Sequence, residues 1–422
     1  MGVKARDGTF KQAMKILFVT HYFPPEVNAP ANRTHEHCRR WVLDGHDVTV
    51  ITGVPNHPRG EVFDGFENKW IQEETIDGIH VIRTWMYLAP NAGFLKRIAN
   101  YLVFALTAIL ASFRTNRPDI VVATSPQFFV GVAGAIIAKL KRRPFVLEIR
   151  DLWPKSIVEL GQLSEGPILR ALEALERWLY RSASGVVVNT RTFHDHITAR
   201  GIASDRIELV YNGIDPAAFH PKAKNLELLA KHNLAGRFTV AYVGTLGLAH
   251  GLTLLIDVAE RMRERKEVQF VLIGDGADRA KLEADISRRG LTNVTLLGLQ
   301  PRSMMPDWIA SIDLLLVLLR DLPVFETVIP SKIFEFLAEE RPVVLAAKGE
   351  IRRMMDEAGG ALVIDPEVTD QLASAIEEVI QRPEEAASRA AAGRSWVEQG
   401  FIRDDLARKM ARFLERVVDS VD

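Results

Sequence analysis

Short apolar runs rich in β-branched residues alternate with helix-like segments along almost the whole chain, and this alternation limits the fold more than any other feature. Runs such as Lys15–Thr20 and Ile120–Thr124 lack the polar–apolar alternation of a half-exposed strand. The segments between the runs, such as residues 32–43 and 168–181, carry apolar residues at helical spacing. Apolar strands joined by helical crossovers are typical of parallel sheets with both faces covered. The sequence therefore predicts a doubly wound α/β fold.

A turn-rich cluster at residues 211–216 interrupts this alternation, which restarts with the apolar run at residues 239–243. Because 422 residues exceed what one core supports, we expect two α/β domains in series. Ligands of such sheets bind beyond the carboxyl ends of the strands, so a cleft between two facing sheets is the expected site. The predicted parts are an extension over residues 1–13, a first domain over 14–211, a linker over 212–222, a second domain over 223–395 and a C-terminal helix over 396–422.

Composition excludes several classes of function. The chain has 53 Lys and Arg residues and 54 Asp and Glu residues, so its net charge of −1 gives no support for nucleic-acid binding. Its single cysteine, Cys38, excludes an internal disulfide framework and is consistent with a cytoplasmic protein. The polar extension is no secretory signal. The His-x-His pairs at 35–37 and 194–196 place their rings on different helix faces, so we expect no metal site.

The longest uncharged stretch, residues 98–113, allows three interpretations. It follows Lys96 and Arg97 and precedes Arg114. Its sixteen residues fall short of the roughly 20 that a membrane-spanning helix needs. It can be a helix buried in the protein, a helix lying in a membrane interface, or a true membrane span. The basic cluster at residues 139–143 favours the helix that lies in a membrane interface.

In the first domain, two strand ends carry the candidate functional residues. The loop after the first strand is stiffened by prolines and opens a helix, and helix amino ends attract phosphate. His21, Asn28 and Arg33 belong to this loop and helix start. Arg150 and Asp151 stand at the carboxyl end of a later strand. The alternative for the loop after the first strand is a structural turn, and the alternative for Arg150 and Asp151 is a structural ion pair.

In the second domain, two glycine-rich loops and one helix start carry the candidates. Glycine in a loop after a strand lets backbone approach a ligand closely. Pro330 precedes a helix start that combines hydroxyl, ammonium and carboxylate groups, which suit an anion and a sugar diol. A capped helix with an internal ion pair is the alternative. The candidates are Gly244, Thr245, Gly247, Gly251, Gly274, Ser331, Lys332 and Glu335.

Taken together, these motifs resemble those of glycosyltransferase family 4, the retaining nucleotide-sugar transferases of GT-B fold. The segment Asn212–Asp215 resembles the start of that family's second domain, and residues 244–251 and 274–276 resemble its donor loops. Residues 22–26, 150–154 and 330–332 resemble the branch that builds bacterial polysaccharides, including colanic acid and N-acetyl-L-fucosamine transferases. The resemblance implies two Rossmann-like domains and a C-terminal helix that crosses back to the first.

The resemblance also implies roles for the candidates. The first domain would bind the acceptor through His21, Asn28 and Arg33, with catalytic roles for Arg150, Asp151 and Lys332. The second domain would bind the donor through the glycine loops, Ser331, Lys332 and Glu335, the last at the ribose. The implied partners are a nucleotide sugar, with UDP expected, and a saccharide or polyprenyl-diphosphate acceptor at the inner face of the cytoplasmic membrane. No cofactor is implied.

Four positions depart from the family pattern. Residues 28–30 replace the paired glycines of the first loop, and Arg150 stands where histidine is usual. No Arg or Lys lies between Gly244 and Gly251, and Thr327 occupies the first of two glutamate positions, of which Glu335 is the second. Two other functions stay open. A UDP-sugar 2-epimerase shares the two-domain architecture, and the missing Arg or Lys and first glutamate allow a non-catalytic nucleotide-sugar binder.

Overall fold

The computed structural model describes residues 12–57, 60–88, 94–125, 127–159 and 163–420, so most of the predicted extension lies outside the described residues. The chain divides into two compact units. The first unit comprises residues 1–211 and 404–422, and the second comprises residues 212–403.

The first unit is built on a mainly parallel sheet. Its strands are β1 (Lys15–Val19), β2 (Asp47–Gly53), β3 (Ile71–Ile76), β4 (Ile79–Thr84), β5 (Ile120–Thr124), β6 (Phe145–Ile149), β7 (Gly185–Val188) and β8 (Ile207–Leu209). Their order is β3-β4-β2-β1-β5-β6-β7-β8, and only the edge strand β3 pairs antiparallel, with β4. Strand order reverses between β1 and β5, which makes their carboxyl ends the expected ligand crevice.

Helices cover both faces of this sheet. Those before residue 211 are α1 (Ala29–Leu43), α2 (Phe94–Ser112), α3 (Phe128–Lys141), α4 (Lys155–Glu159), α5 (Pro167–Ser182) and α6 (Arg191–Ala199). Alternate residues of β1 point to opposite faces, so Leu17 joins a core with α2, α3 and α5, whereas Phe18 joins a core with α1.

The second unit has a fully parallel sheet of six strands. These are β9 (Phe238–Val243), β10 (Val268–Ile273), β11 (Val294–Gly298), β12 (Leu314–Leu318), β13 (Val343–Ala346) and β14 (Leu362–Ile364). The order is β11-β10-β9-β12-β13-β14, which reverses between β9 and β12. Its helices are α7 (Leu226–Lys231), α8 (Thr253–Arg261), α9 (Arg279–Arg289), α10 (Met305–Ser311), α11 (Lys332–Ala338), α12 (Glu350–Ala358), α13 (Thr369–Gln381) and α14 (Pro383–Gly400).

The last helix, α15 (Arg403–Asp419), returns to the first unit. Its apolar face is buried in the core that contains α1, and the indole of Trp41 donates a hydrogen bond to the Ala407 carbonyl at 2.8 Å. A Cβ added at Gly185 would lie 2.6 Å from the Phe413 ring, so this glycine of β7 makes room for α15. The doubly wound α/β prediction and the returning helix are therefore confirmed.

None of the described helices has the combined length and apolar character needed to cross a membrane. Helix α2, which contains most of the uncharged stretch 98–113, packs its inner side into the first core through residues such as Phe104 and Ala108. Leu106 on this helix and Phe113, the residue directly after it, are 62% and 65% exposed. Of the three interpretations of this stretch, the membrane span therefore does not fit α2, whereas the outer apolar side of the helix has no cover among the described residues.

Candidate functional site

In the first unit, His21 follows β1 at the point where strand order reverses. Its ring meets the edges of Tyr22, Tyr101 and Phe104 at centroid distances of 4.6, 5.6 and 4.9 Å, and no described residue hydrogen-bonds its Nδ1. Burial, with a smaller effect from His57, lowers the pKa of His21 to about 3. The imidazole is therefore neutral near pH 7 and suits hydrogen bonding better than proton abstraction.

Asn28 and Arg33 belong to the same edge but make different contacts. Asn28 is the N-cap of α1, since its Oδ1 accepts the Ala31 amide at 2.9 Å. Its Nδ2 is buried and has no hydrogen-bond partner in the described chain. The Arg33 guanidinium donates to Glu148 and to the carbonyls of residues 210 and 211, each at 2.8 Å. Arg33 thus ties α1 to β6 and to the end of the first unit, while Asn28 keeps a donor available.

Arg150 and Asp151 follow β6, as predicted. Two nitrogens of the Arg150 guanidinium, Nε and Nη1, are buried without a partner among the described residues. Burial lowers the pKa of Arg150 to about 10, against the opposing charge of Glu148. For Glu148 burial raises the pKa, but Arg33 and Arg150 overcome this and hold it at about 2. A guanidinium that stays charged with unused donors is suited to bind an anionic or hydroxyl-rich ligand.

Asp151 is less exposed to ligands than the sequence implies. Its Oδ2 accepts a hydrogen bond from Ser156 at 3.3 Å, and burial raises the pKa of the carboxyl group.

Sequence reasoning also missed Gln127 and Asn189, which follow β5 and β7. Both atoms of the Gln127 amide and the Asn189 Oδ1 are buried and have no partner in the described part of the chain. Their positions directly after apolar runs were the available signal.

In the second unit, Lys332 is the centre of the candidate site. Its ammonium lies 3.6 Å from the centroid of the Tyr242 ring and donates to the Val243 carbonyl at 3.0 Å. A Cβ added at Gly244 would lie 3.2 Å from the same nitrogen, so the cation is held against the first glycine loop. Burial lowers the pKa of Lys332 to about 7. A bound anion would restore the charged form, because opposite charge raises the pKa of an amine.

The two glycine loops pack on each other, which the sequence did not suggest. Gly274 has φ +142°, and a Cβ there would lie 1.9 Å from the Gly244 carbonyl oxygen. Gly251 adopts φ +56°, a left-handed conformation. Gly247 has φ −131°, and the nearest atom to an added Cβ is 3.6 Å away, on Thr245. Loop packing therefore explains Gly274, whereas a side chain at Gly247 would make only an ordinary van der Waals contact.

Glu335, predicted to bind ribose, lies on α11 in an ion pair with Arg302. Arg302 follows β11, and its Nη2 donates to Glu335 Oε1 at 2.6 Å. Sequence reasoning missed this partner because it is 33 residues away.

Ser331 directly precedes α11 and makes no capping hydrogen bond with its side chain. Thr245 is exposed, and its carbonyl accepts the Tyr242 hydroxyl at 2.9 Å.

His250, in the same loop, is a further residue of the site. Its Nδ1 lies 3.0 Å from the Leu318 carbonyl, so this nitrogen carries the proton and Nε2 is an acceptor. Burial and the nearby Lys332 lower the pKa of His250 to about 4, which keeps the ring neutral. Across the described residues there is no group of three or more His, Cys, Asp or Glu side chains that could hold a metal ion.

Comparison with known proteins identifies both units as glycosyl transferase domains. A model of the glycosyl transferase 4-like domain matches residues 28–213, and a model of the glycosyl transferases group 1 matches residues 237–382. WcaI of Escherichia coli K12, a glycosyl transferase assigned to colanic acid biosynthesis, is 25% identical over 94% of this chain and 98% of its own length. A GDP-mannose-dependent alpha-mannosyltransferase of Mycobacterium tuberculosis is 26% identical over 91% and 93% of the two chains.

Among solved structures, HepE of Anabaena in complex with UDP and glucose superposes with a TM-score of 0.71. The match covers 96% of this chain and 100% of HepE at 19% identity, which speaks for the fold alone. The two domain models, the relative aligned over nearly the whole chain and the shared fold show that this chain belongs to the family 4 glycosyltransferases, enzymes of GT-B fold.

Proposed function

We propose that the enzyme moves a sugar, with retention of anomeric configuration, from a nucleotide donor to a saccharide or lipid-diphosphate acceptor. The reaction would serve cell-surface polysaccharide assembly, such as that of O-antigen. The observation that carries the proposal is the Lys332 ammonium held at the Gly244 loop, with Glu335 one helical turn further along α11. Cation, glycine loop and carboxylate match the diphosphate and ribose of a nucleotide sugar.

In this mechanism Lys332 stabilises the negative charge that grows on the leaving diphosphate. A well-placed donor of this kind contributes roughly 3–4 kcal/mol to transition-state stabilisation. The acceptor hydroxyl attacks on the face that the leaving group departs from, and the diphosphate oxygen takes its proton. The low pKa of His21 supports this route, because a ring that titrates at about 3 is a weak base near pH 7. Arg150 and Asp151 are proposed to contact the donor sugar or its phosphate.

UDP is the nucleotide that we expect. HepE, which shares the fold, is described with UDP and with UDP-glucose. The mycobacterial relative is GDP-mannose-dependent, so GDP is the second candidate. Transfer is favoured over a 2-epimerase or a non-catalytic binder because both domain models are of glycosyl transferases.

We further propose that the first unit attaches to the inner face of the cytoplasmic membrane, where a lipid-linked acceptor lies. Helix α2 and the residue directly after it expose an apolar stripe at helical spacing, consisting of Leu102, Leu106, Leu110 and Phe113. Neither α2 nor α3 contains an acidic residue, and Lys96, Lys139 and Arg142 are exposed near their ends. An apolar stripe with basic flanks suits the interface of an anionic bilayer.

Labelled UDP and GDP sugars test the proposed reaction. Nucleotide release that requires a polyprenyl-diphosphate saccharide, together with labelled sugar in the lipid product, would support transfer. Conversion of the donor sugar without any acceptor would identify an epimerase instead. A protein that binds a donor but neither transfers nor converts its sugar, across a broad panel of acceptors, would be a non-catalytic binder.

A further inference from the structure

The carboxylate of Glu335 is held asymmetrically by one guanidinium. Arg302 Nη2 lies 2.6 Å from Oε1, a short charge-assisted bond, whereas Nη1 lies 3.4 Å from Oε2, beyond the usual range. The Glu335 side chain keeps 12% of its surface exposed. Oε1 is therefore the anchored oxygen, and Oε2 is the oxygen with lone pairs available to a hydroxyl donor.

Arg302 is itself fixed from a second direction. Its guanidinium carbon lies 5.2 Å from the centroid of the Phe219 ring. Phe219 is buried, and its amide donates to the Asp215 carbonyl at 2.9 Å, so the ring belongs to a firm turn. A guanidinium that is stacked on one face and hydrogen-bonded at its edge has little freedom to reorient.

This arrangement joins parts of the second unit that are distant in sequence. Arg302 comes from the 3-10 turn Arg302–Met304 after the edge strand β11, and Glu335 comes from the helix that follows β12. Without a partner, a glutamate side chain distributes over several staggered rotamers. The hydrogen bond from the Arg302 guanidinium restricts Glu335 to the rotamers that keep Oε1 in place.

We propose that Arg302 is a positioning residue for nucleotide recognition, which orients Glu335 so that Oε2 accepts a ribose hydroxyl of the donor. The inference rests on the ribose contact that the proposed function assigns to Glu335. Arg302 thereby sets the discrimination between ribonucleotides and deoxyribonucleotides, because a deoxy analogue lacks the hydrogen that the oriented oxygen accepts.

The test compares the affinities of UDP and GDP with those of their 2′-deoxy and 3′-deoxy analogues, measured by calorimetry on the full-length protein. We expect the unaltered enzyme to prefer the ribonucleotide by at least about tenfold, as for a hydrogen bond to a charged group. Arg302→Met should reduce this preference to within about twofold and raise the donor KM with kcat nearly unchanged. Arg302→Lys, which keeps the charge without the fork, should retain an intermediate preference.

Arg389→Met is the matched control, because Arg389 is a similarly exposed arginine of the same unit and donates to a glutamate, Glu378, at 2.8 Å. It should leave the preference unaltered. Equal discrimination by the unaltered enzyme and both Arg302 variants, with unchanged melting temperatures, would overturn the proposal. Nucleotide binding without discrimination in the unaltered enzyme would overturn it together with the ribose role of Glu335. Failure of the unaltered enzyme to bind any nucleotide would instead remove the proposed function itself.

Discussion

Lys332 links the chemistry of the second unit to pH. Its pKa of about 7 means that the free enzyme loses the ammonium charge just above neutrality, while a bound diphosphate favours the charged form. Binding above pH 7 therefore requires proton uptake, and the affinity for UDP or GDP should fall by up to about tenfold per pH unit. The phosphates of the nucleotide are already ionised there, since their second pKa is about 6.

Calorimetric titrations between about pH 6.5 and pH 9, in buffers of different ionisation enthalpy, measure both the affinity and the protons taken up. Lys332→Arg keeps its charge over this range and should remove the dependence. The same slope in that variant would assign the effect to another group.

Two glycines of the donor loops should respond differently to the same substitution. Gly274→Ala forces a Cβ to within 1.9 Å of the Gly244 carbonyl oxygen at φ +142°, so it should destabilise the fold by more than about 1 kcal/mol. Gly247→Ala meets no close atom and has an ordinary φ, so its melting temperature should stay near that of the unaltered enzyme. If this loop approaches the diphosphate, Gly247→Ala should weaken nucleotide binding. Thermal unfolding and nucleotide titration, run side by side, distinguish the two effects.

At the residue level, the sequence located single groups better than their partners. Lys332 and Glu335 could be singled out because Pro330 marks a helix start just before them. The guanidinium of Arg33 reaches carbonyls 177 and 178 residues away, and no local pattern encodes such a contact. For the same reason the pairing of Arg302 with Glu335 was missed.

At the level of elements, sequence periodicity identified most strands and failed in two informative places. Strand β3 was missed because Ile71–Ile76 is a half-exposed edge strand with polar residues at its centre, whereas the predicted strands were continuous apolar runs. Helix α3 could not be identified by periodicity, because its first eleven residues are uncharged and largely apolar and periodicity cannot separate a buried helix from a strand in such a run. The C-terminal helix predicted from residue 396 is divided between two helices, since α14 ends at Gly400 and α15 begins at Arg403.

The apolar stripe of α2 gives a test of membrane attachment. Replacing Leu106 and Phe113 by Gln should reduce flotation with both anionic and neutral liposomes, because it removes apolar burial. Replacing Lys139 and Arg142 by Ser should reduce flotation with anionic liposomes only, by about 1 kcal/mol per charge near the surface. Lys141 is left unchanged, since its ammonium donates to the Thr115 carbonyl at 2.9 Å.

Leu226→Gln is the control for that experiment, as Leu226 is an equally exposed leucine of the second unit. It should float like the unaltered protein. Absence of flotation for the unaltered protein with either liposome would leave α2 as a helix packed on the sheet and would end the attachment proposal.

At the level of the whole molecule, α15 makes the stability of the first unit depend on the far end of the chain. Phe413 is buried against β7, and truncating such a side chain typically costs 3–5 kcal/mol. Phe413→Ala should therefore lower the unfolding temperature of the first unit and leave nucleotide binding by the second unit intact. Differential scanning calorimetry with and without UDP or GDP separates the unfolding of the first unit from nucleotide binding by the second. Arg412→Ala, on the exposed side of the same helix, should change neither.

The same helix also sets the order in which a newly made chain can mature. Domains usually fold in sequence as they leave the ribosome, the amino-terminal one first. Here residues 212–403 have been synthesised before 404–422 emerge to cover the open face of the first sheet. The first-made unit is therefore the last to be completed. A chain that is released just before α15 carries a finished second unit together with an exposed apolar sheet face in the first unit, which chaperones and proteases can recognise.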